Sequence, residues 1–131
     1  QIGCALEYVP ALYKTEHLCR IAMKEEQYPG LEFVPEEFIT YQDCLEIINN
    51  RGGYYLKFTP LKFRDYNMCK EALESCGEAF EYVPEALRTK EFYELALDRV
   101  RYDANEREDY NDGVRNDFIE KYGKYDISES E

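Results

Sequence analysis

Leu6-Glu7-Tyr8-Val9-Pro10 is the first copy of a five-residue pattern that occurs four times along the chain. We call it the proline phrase: an apolar residue, a charged residue, an aromatic residue, Val or Thr, and Pro. The later copies are Leu31-Glu32-Phe33-Val34-Pro35, Leu56-Lys57-Phe58-Thr59-Pro60 and Phe80-Glu81-Tyr82-Val83-Pro84. The prolines of successive phrases are 25, 25 and 24 residues apart. A fixed period of this length indicates stacked structural repeats.

A helix is predicted after each proline phrase, and we call a phrase together with the helix that follows it a unit. Five residues beyond the prolines stand Thr15, Thr40, Asp65 and Thr89, whose side-chain oxygens suit them to cap a helix N-terminus. Apolar residues then recur with helical spacing and form one stripe per helix. The stripes are Leu18, Cys19, Ala22, Met23; Cys44, Ile47, Ile48; Met68, Cys69, Ala72, Leu73, Cys76; and Phe92, Tyr93, Ala96, Leu97, Val100.

Glycine and proline predict where the first three helices end, because Gly adopts the left-handed C-terminal conformation and Pro cannot continue a helix. The predicted ends are Tyr28-Pro29-Gly30, Arg51-Gly52-Gly53 and Cys76-Gly77. The proline of each phrase is expected to open a second, shorter helix. Tyr8 and Tyr82, and the residues three positions after each proline, are expected to face the core; the latter are Tyr13, Phe38, Phe63 and Leu87.

The chain is therefore predicted to be all-α: a short α-solenoid of four repeats of about 25 residues over residues 1–100. Residues 1–14 contain a proline phrase without the helix that is predicted before each later phrase, so we expect the chain to be a fragment of a longer array. Residues 101–131 carry ten acidic and five basic residues and are expected to form an acidic C-terminal cap and tail. A last helix is predicted from Asn111 or Asp112 through Val114, Phe118, Ile119 and Tyr122, ending at Gly123.

Charge and cysteine content narrow the classes of function. The 131 residues carry a formal net charge of −12, which repels nucleic-acid phosphates and anionic lipid, so neither a nucleic acid nor a membrane is expected as a partner. Five cysteines without a Cys-x-x-Cys pair favour a reducing compartment, and we expect the cytoplasm.

Residues with catalytic or metal-binding potential lack the spacing that their chemistry requires. Cys19, Cys44 and Cys69 each stand nine residues after a proline, but Tyr93 holds the fourth equivalent position, which favours small buried residues over a metal ladder. His17 is the single histidine. Asp109–Gly113 resembles a calcium loop with its glycine one position early. We expect no catalytic site, no metal and no cofactor.

Tyrosine is the residue type with the clearest potential for binding. Tyr41 and Tyr66 hold equivalent positions just inside the second and third helices, away from the apolar stripes. Tyr is favoured at protein interfaces, so the pair could form a short partner-binding strip. Glu16 and Lys90 hold this position in the first and fourth units, and incidental packing is the competing interpretation.

The phrases Ala5-Leu6-Glu7-Tyr8-Val9-Pro10 and Tyr82-Val83-Pro84-Glu85-Ala86-Leu87-Arg88-Thr89 resemble a family of short bacterial helical repeats of unknown function. The resemblance covers residues 4–100, and Thr59 and Asp65 depart from the pattern in the third unit. It implies a scaffold and no known activity. We therefore expect a non-catalytic protein–protein interaction module, with an acidic inhibitor or immunity-type protein that masks a basic partner as the alternative.

Overall fold

The computed structural model describes residues 5–24, 29–103 and 108–126, and within these ranges the chain is helical without a strand. The prediction of an all-α fold is thereby confirmed. The α-helices are α1 (Glu16–Met23), α2 (Tyr41–Arg51), α3 (Tyr66–Ser75), α4 (Lys90–Asp103) and α5 (Glu108–Tyr122).

Each of the first four α-helices begins directly after its predicted cap. In all four cases the cap oxygen accepts a hydrogen bond from a backbone N–H of the first turn, which otherwise has no partner within the helix. The N···O distances are 3.2 Å for Thr15, 3.2 Å for Thr40, 2.9 Å for Asp65 and 3.3 Å for Thr89. The four capping predictions are confirmed.

Two short 3₁₀ segments precede each of the helices α1 to α4, one on either side of the phrase proline. In the third unit they are Gly53–Phe58 and Leu61–Phe63. The sequence predicts Pro60 as the first residue of the second segment, but it lies just before that segment. The carbonyl oxygen of Pro60 accepts a hydrogen bond from the N–H of Phe63 at 2.9 Å. The other pairs are Leu6–Tyr8 with Ala11–Tyr13, Leu31–Phe33 with Glu36–Phe38, and Gly77–Tyr82 with Glu85–Leu87.

The 3₁₀ conformation decides which residues of the phrase are buried. With three residues per turn, positions i and i+3 lie on one side, so the first and fourth residues of the phrase face the core, as Phe80 and Val83 do. The third residue lies beside this pair and is half-buried at Tyr82. The prediction that Tyr8 and Tyr13 are core residues is wrong, because both are exposed. Phe38, Phe63 and Leu87 are half-buried.

Small residues allow each phrase to lie close to the helix that follows it. A Cβ atom added to Gly53 would stand 1.9 Å from the carbonyl oxygen of Ala72, and one added to Gly77 would stand 2.3 Å from that of Ala96. The N–H of Gly53 donates to Ser75 Oγ at 2.7 Å. Segment Gly53–Phe58 contacts both α2 and α3 in this way, and Gly77–Tyr82 contacts both α3 and α4.

The boundaries of three helices differ from the sequence prediction. Helix α1 ends at Met23, five residues before Tyr28, and residues 25–28 lie outside the described part. Helix α4 extends past Val100 to Asp103. Helix α5 begins at Glu108, so a start at Asn111 or Asp112 is wrong; the helix does end before Gly123, as predicted.

The side chains of α5 close the end of the fourth unit. The rings of Phe118 and Tyr122 lie 5.6 and 4.9 Å from the ring of the buried Phe80. Phe118 also stacks on Tyr93 of α4 at 5.7 Å. In the part of the chain that the structure describes, no helix has both the length and the apolar character that crossing a membrane requires.

Candidate interaction surface

Tyr41 and Tyr66, the residues predicted to bind a partner, each contact the following unit. The hydroxyl of Tyr41 donates to Asp65 Oδ1 at 2.9 Å, and its ring meets the edge of Phe63 at 6.1 Å. The hydroxyl of Tyr66 donates to a carboxylate oxygen of Glu91 at 2.7 Å. Both phenols therefore connect one unit to the next, while the ring of Tyr66 keeps an exposed surface. Partner binding by this pair stays a prediction.

These surroundings also change the acidity of the two phenols. Desolvation, followed by the hydrogen bond to Asp65 and the charge of that carboxylate, raises the pKa of Tyr41 to about 12. The pKa of Tyr66 is raised first by its hydrogen bond to Glu91. A carboxylate acceptor disfavours the phenolate, because the two negative charges would repel each other.

Two arginines that sequence reasoning did not single out bind backbone carbonyls of their own proline phrases, and one of them, Arg64, also reaches the next phrase. Arg64 donates from Nε to the carbonyl oxygen of Thr59 at 2.7 Å, and from its terminal nitrogens to those of Lys57 at 3.0 Å and Tyr82 at 3.1 Å. The carbonyl of Tyr82 belongs to the next unit. The planar guanidinium, with several fixed donors, suits this role, and burial lowers the pKa of Arg64.

Arg88 repeats this arrangement one unit later. It donates to the carbonyl oxygens of Val83 and Glu81, both at 2.9 Å, and to the hydroxyl of Tyr125 at 3.3 Å. In the first unit Lys14 Nζ donates to the carbonyl oxygen of Phe33 at 2.9 Å. The sequence contains a signal for this contact, because a cation stands four residues after the proline in three of the four units, with Ile39 as the exception.

The third proline phrase carries a cluster of aromatic rings with a lysine, which we call the Tyr54 cluster: Tyr54, Tyr55, Lys57 and Phe58. The ring of Tyr54 lies 6.1 Å from that of Tyr55 and 5.9 Å from that of Phe58. Lys57 Nζ lies 5.9 Å from the Tyr54 ring centre and 5.6 Å from that of Phe58, within cation–π range. Tyr54 and Lys57 are exposed.

This cluster distinguishes the third phrase from the others. Glu7, Glu32 and Glu81 hold the charged position in the other three phrases, where the third has Lys57. Residues 52–76 contain four basic and three acidic residues, a net charge of +1 within a chain of −12. The Tyr54 cluster is thus an aromatic and locally basic surface on an acidic protein, and its signal was present in the sequence as the substitution of Lys for Glu.

The cysteines behave as buried apolar residues. Cys19, Cys44 and Cys69 are fully buried free thiols. Desolvation raises the pKa of Cys44 and of Cys69 to about 11, which keeps both in the unreactive thiol form near neutral pH. Across the described ranges, no group of three or more His, Cys, Asp or Glu residues has the geometry to hold a metal ion.

The remaining candidate groups are also dispersed. His17 is exposed on α1. The backbone of Asp109–Gly113 lies inside helix α5 rather than in a calcium loop.

Two shallow cavities occur in the described part of the chain. One, of about 190 Å³, lies between α1 and α2, where Arg20 pairs with Asp43 at 2.6 Å. The other, of about 220 Å³, lies beside α5 and includes Glu81 and Lys121. Both are smaller than the roughly 300–1,000 Å³ of most small-molecule sites. An exposed surface is therefore a better candidate for function than either cavity.

Comparison with known proteins gives one partial match. Residues 42–88 match a family model described as a domain of unknown function (DUF4116). This stretch includes the Tyr54 cluster, both arginines and the third and fourth proline phrases. No curated protein and no solved structure matches the chain.

Proposed function

We propose that this chain is a non-catalytic protein–protein interaction module that binds its partner through the Tyr54 cluster. The observation that carries the proposal is the exposed ring of Tyr54 beside Lys57 and Phe58, on the one proline phrase with a basic residue. Aromatic residues next to a cation provide large contact area and orientation at interfaces. The partner that fits this surface is a protein segment with an apolar side chain next to a carboxylate.

The proposed scaffold is a short α-solenoid of four repeats with α5 as its C-terminal cap. Three observations support it. Each unit consists of two 3₁₀ segments followed by an α-helix, the four helices have equivalent caps, and Lys14 and Arg64 each donate a hydrogen bond to a phrase of a later unit. In a stack of this kind each unit contacts mainly its neighbours. The surface would then present the Tyr54 cluster on a rigid support.

Other properties of the chain suit an intracellular interaction module. Free buried thiols at Cys19, Cys44 and Cys69 support a reducing compartment, and we place the protein in the cytoplasm. The net charge of −12 supports a protein partner over nucleic acid or a membrane surface. Tyr41 and Tyr66 remain proposed contacts, with the exposed ring of Tyr66 as the accessible part.

The experiment is to place a photo-crosslinking residue at Tyr54, isolate the crosslinked partner, and measure its affinity for the unmodified chain by calorimetry. We expect Tyr54→Ser and Lys57→Glu each to weaken binding about tenfold or more, the range of an interface hot spot. Leu61→Ser is the matched control, because it removes an exposed apolar side chain outside the cluster. Tyr66→Ser tests the second candidate pair, because it removes the exposed ring that a partner would contact.

Equal affinities for the wild type, Tyr54→Ser and Lys57→Glu would overturn the proposed surface. A selective loss with Tyr66→Ser would assign binding to the tyrosine pair instead. Turnover of a substrate by the purified chain would contradict a non-catalytic role.

The second candidate function is that of an acidic inhibitor that masks a basic partner, and the uneven distribution of charge along the chain supports it. Residues 31–51 carry five acidic residues and one basic residue, which makes the second unit strongly negative. The substitution Lys57→Glu separates the two functions by sign, because it would strengthen binding to a basic partner and weaken binding to a carboxylate. Binding that weakens steeply with salt in the wild type, together with a gain in Lys57→Glu, would favour the inhibitor.

A further inference from the structure

The first unit exposes apolar side chains that its later counterparts partly cover. Tyr8 and Tyr13 are 82% and 65% exposed. Together with Leu12, whose counterparts Glu37, Lys62 and Ala86 are exposed as well, they form what we call the N-terminal face. The residues equivalent to Tyr8 and Tyr13 in the other units are half-buried and packed against the core; they are Phe33, Phe58 and Tyr82, and Phe38, Phe63 and Leu87. The same sequence pattern thus has two different environments.

The inner units reveal what covers these positions. Segment Gly53–Phe58 lies between the preceding helix α2 and the following helix α3, and Gly77–Tyr82 lies between α3 and α4. Tyr41, the first residue of α2, meets the edge of the Phe63 ring, which is the counterpart of Tyr13. At Phe63 the cover therefore comes from the preceding unit, and the contact is made by the start of a helix.

A hydrogen bond from the preceding unit accompanies this packing. Arg64 lies just before the cap of α3 and donates to the carbonyl oxygen of Tyr82, and Lys14 makes the same bond to Phe33. The equivalent acceptor in the first unit is the carbonyl oxygen of Tyr8. A matching helix would thus bring an apolar stripe together with a cation directly before its cap.

We propose that the N-terminal face binds an amphipathic helix of the α3 type from outside these 131 residues. Its chemistry is defined by the inner contacts: Lys or Arg followed by an N-cap, an aromatic first residue, and a stripe of small and medium apolar residues. A second copy of this chain does not offer such a helix, because Met68, Cys69 and Leu73 of α3 are already buried in its own fold.

The test joins a second copy of the Arg64–Glu74 sequence directly to the N-terminus. Glu74 precedes Phe80 by six positions, and the residue joined before Gln1 would precede Leu6 by six positions as well, so the copy stands in register. Fusion makes the contact intramolecular and gives it a high effective concentration. We expect Tm to rise by about 4 °C or more and amide exchange in the first unit to slow.

Matched variants separate docking from a general effect of the added residues. In the joined copy, Leu73→Asp breaks the apolar stripe and should abolish the rise in Tm. In the original chain, Tyr8→Ser combined with Tyr13→Ser should abolish it too, and these exposed positions tolerate the change. Leu61→Ser, also exposed, should leave the rise intact.

An equal Tm for the copies with and without Leu73→Asp would overturn the proposal. Self-association of the unextended chain in sedimentation equilibrium, lost in the Tyr8→Ser and Tyr13→Ser variant, would assign this face to a second copy and overturn it as well. A free peptide of the Arg64–Glu74 sequence that shifts the amide signals of residues 6–13 would support it independently. None of these outcomes bears on the Tyr54 cluster.

Discussion

The first and fourth units have the same local structure and different surroundings. Both place a 3₁₀ segment before a proline and a capped helix after it, and both bury the first residue of the phrase, Leu6 or Phe80. The fourth unit contacts α3 on one side and α5 on the other. In the described residues, Tyr8 has no cover comparable to that of Tyr82. The phrase determines its own conformation, while its neighbours determine how much of it is buried.

The largest expected effect tests this difference in the two buried phrase residues. The Phe80→Ala substitution removes a ring that contacts Tyr93, Phe118 and Tyr122, and it should lower the free energy of unfolding by about 3–5 kcal/mol. Leu6 is also buried, but it belongs to a unit whose Tyr8 and Tyr13 are exposed. Its site should therefore collapse more easily, and Leu6→Ala should cost about 2 kcal/mol. Urea denaturation followed by circular dichroism measures both. Equal losses would mean that the first unit is as tightly packed as the fourth.

The Gly77→Ala substitution tests the close approach of phrase and helix in the fourth unit. The new Cβ would stand 2.3 Å from the carbonyl oxygen of Ala96, so the backbone must move, and we expect a loss of about 3 kcal/mol. Gly113→Ala is the matched control, since nothing lies within 4 Å of its added Cβ. In a helix this control should be stabilising by about 0.5–1 kcal/mol. A Gly77→Ala protein with wild-type stability in urea would contradict the packing.

Substitution of the aromatic residue at the third position of the phrase should cost less stability, and the cost should again be larger in the fourth unit than in the first. Tyr82→Ala should lower the free energy of unfolding by about 1–2 kcal/mol, because the side chain is half-buried. Tyr8→Ala should stay within about 0.5 kcal/mol, as expected for an exposed position. The joined Arg64–Glu74 copy sharpens the comparison, because it should give Tyr8→Ala a cost close to that of Tyr82→Ala. Urea unfolding of the wild type, Tyr82→Ala, Tyr8→Ala, the joined chain and the joined chain with Tyr8→Ala checks this.

Features of this structure that depend on local contacts could be predicted from the sequence, whereas features that depend on distant contacts could not. The caps at Thr15, Thr40, Asp65 and Thr89 depend on a side chain and a backbone group three residues apart, and all four predictions are confirmed. The all-α class follows from the same local patterns.

The predictions are wrong where 3₁₀ geometry or a distant neighbour decides whether a residue is buried or where a helix begins. Membership of the repeated phrase predicts Tyr8 in the core, whereas 3₁₀ geometry turns the first and fourth residues of the phrase inward. The spacing of three residues from Pro10 predicts Tyr13 in the core, but Tyr13 is exposed, and its counterpart Phe63 is covered by Tyr41 of the preceding helix. Asn111 and Asp112 are good caps, yet α5 begins at Glu108, since a local preference for capping does not fix a boundary by itself.

The candidate surface could be predicted only in part. Tyr41 and Tyr66 were identified by their position, but their carboxylate partners lie 24 and 25 residues away, and no local pattern gives such a contact. The Tyr54 cluster had a local signal in Lys57. Recognising it required the ring distances, because the sequence alone does not say that Tyr54 reaches Phe58.

The smallest expected effect concerns the phenol of Tyr41, which the first unit lacks because Glu16 holds its position. Folding raises the pKa of Tyr41 from 10.0 to about 12, through desolvation and then Asp65. A raised pKa means that the native state holds this proton more tightly, so the stabilisation is complete below pH 10 and is lost as the pH rises toward 12. Tyr41→Phe removes this titration and leaves the other tyrosines unchanged. The difference in urea stability between the wild type and Tyr41→Phe should therefore shrink between pH 10 and pH 12, and a constant difference would show that the Asp65 contact does not persist in solution.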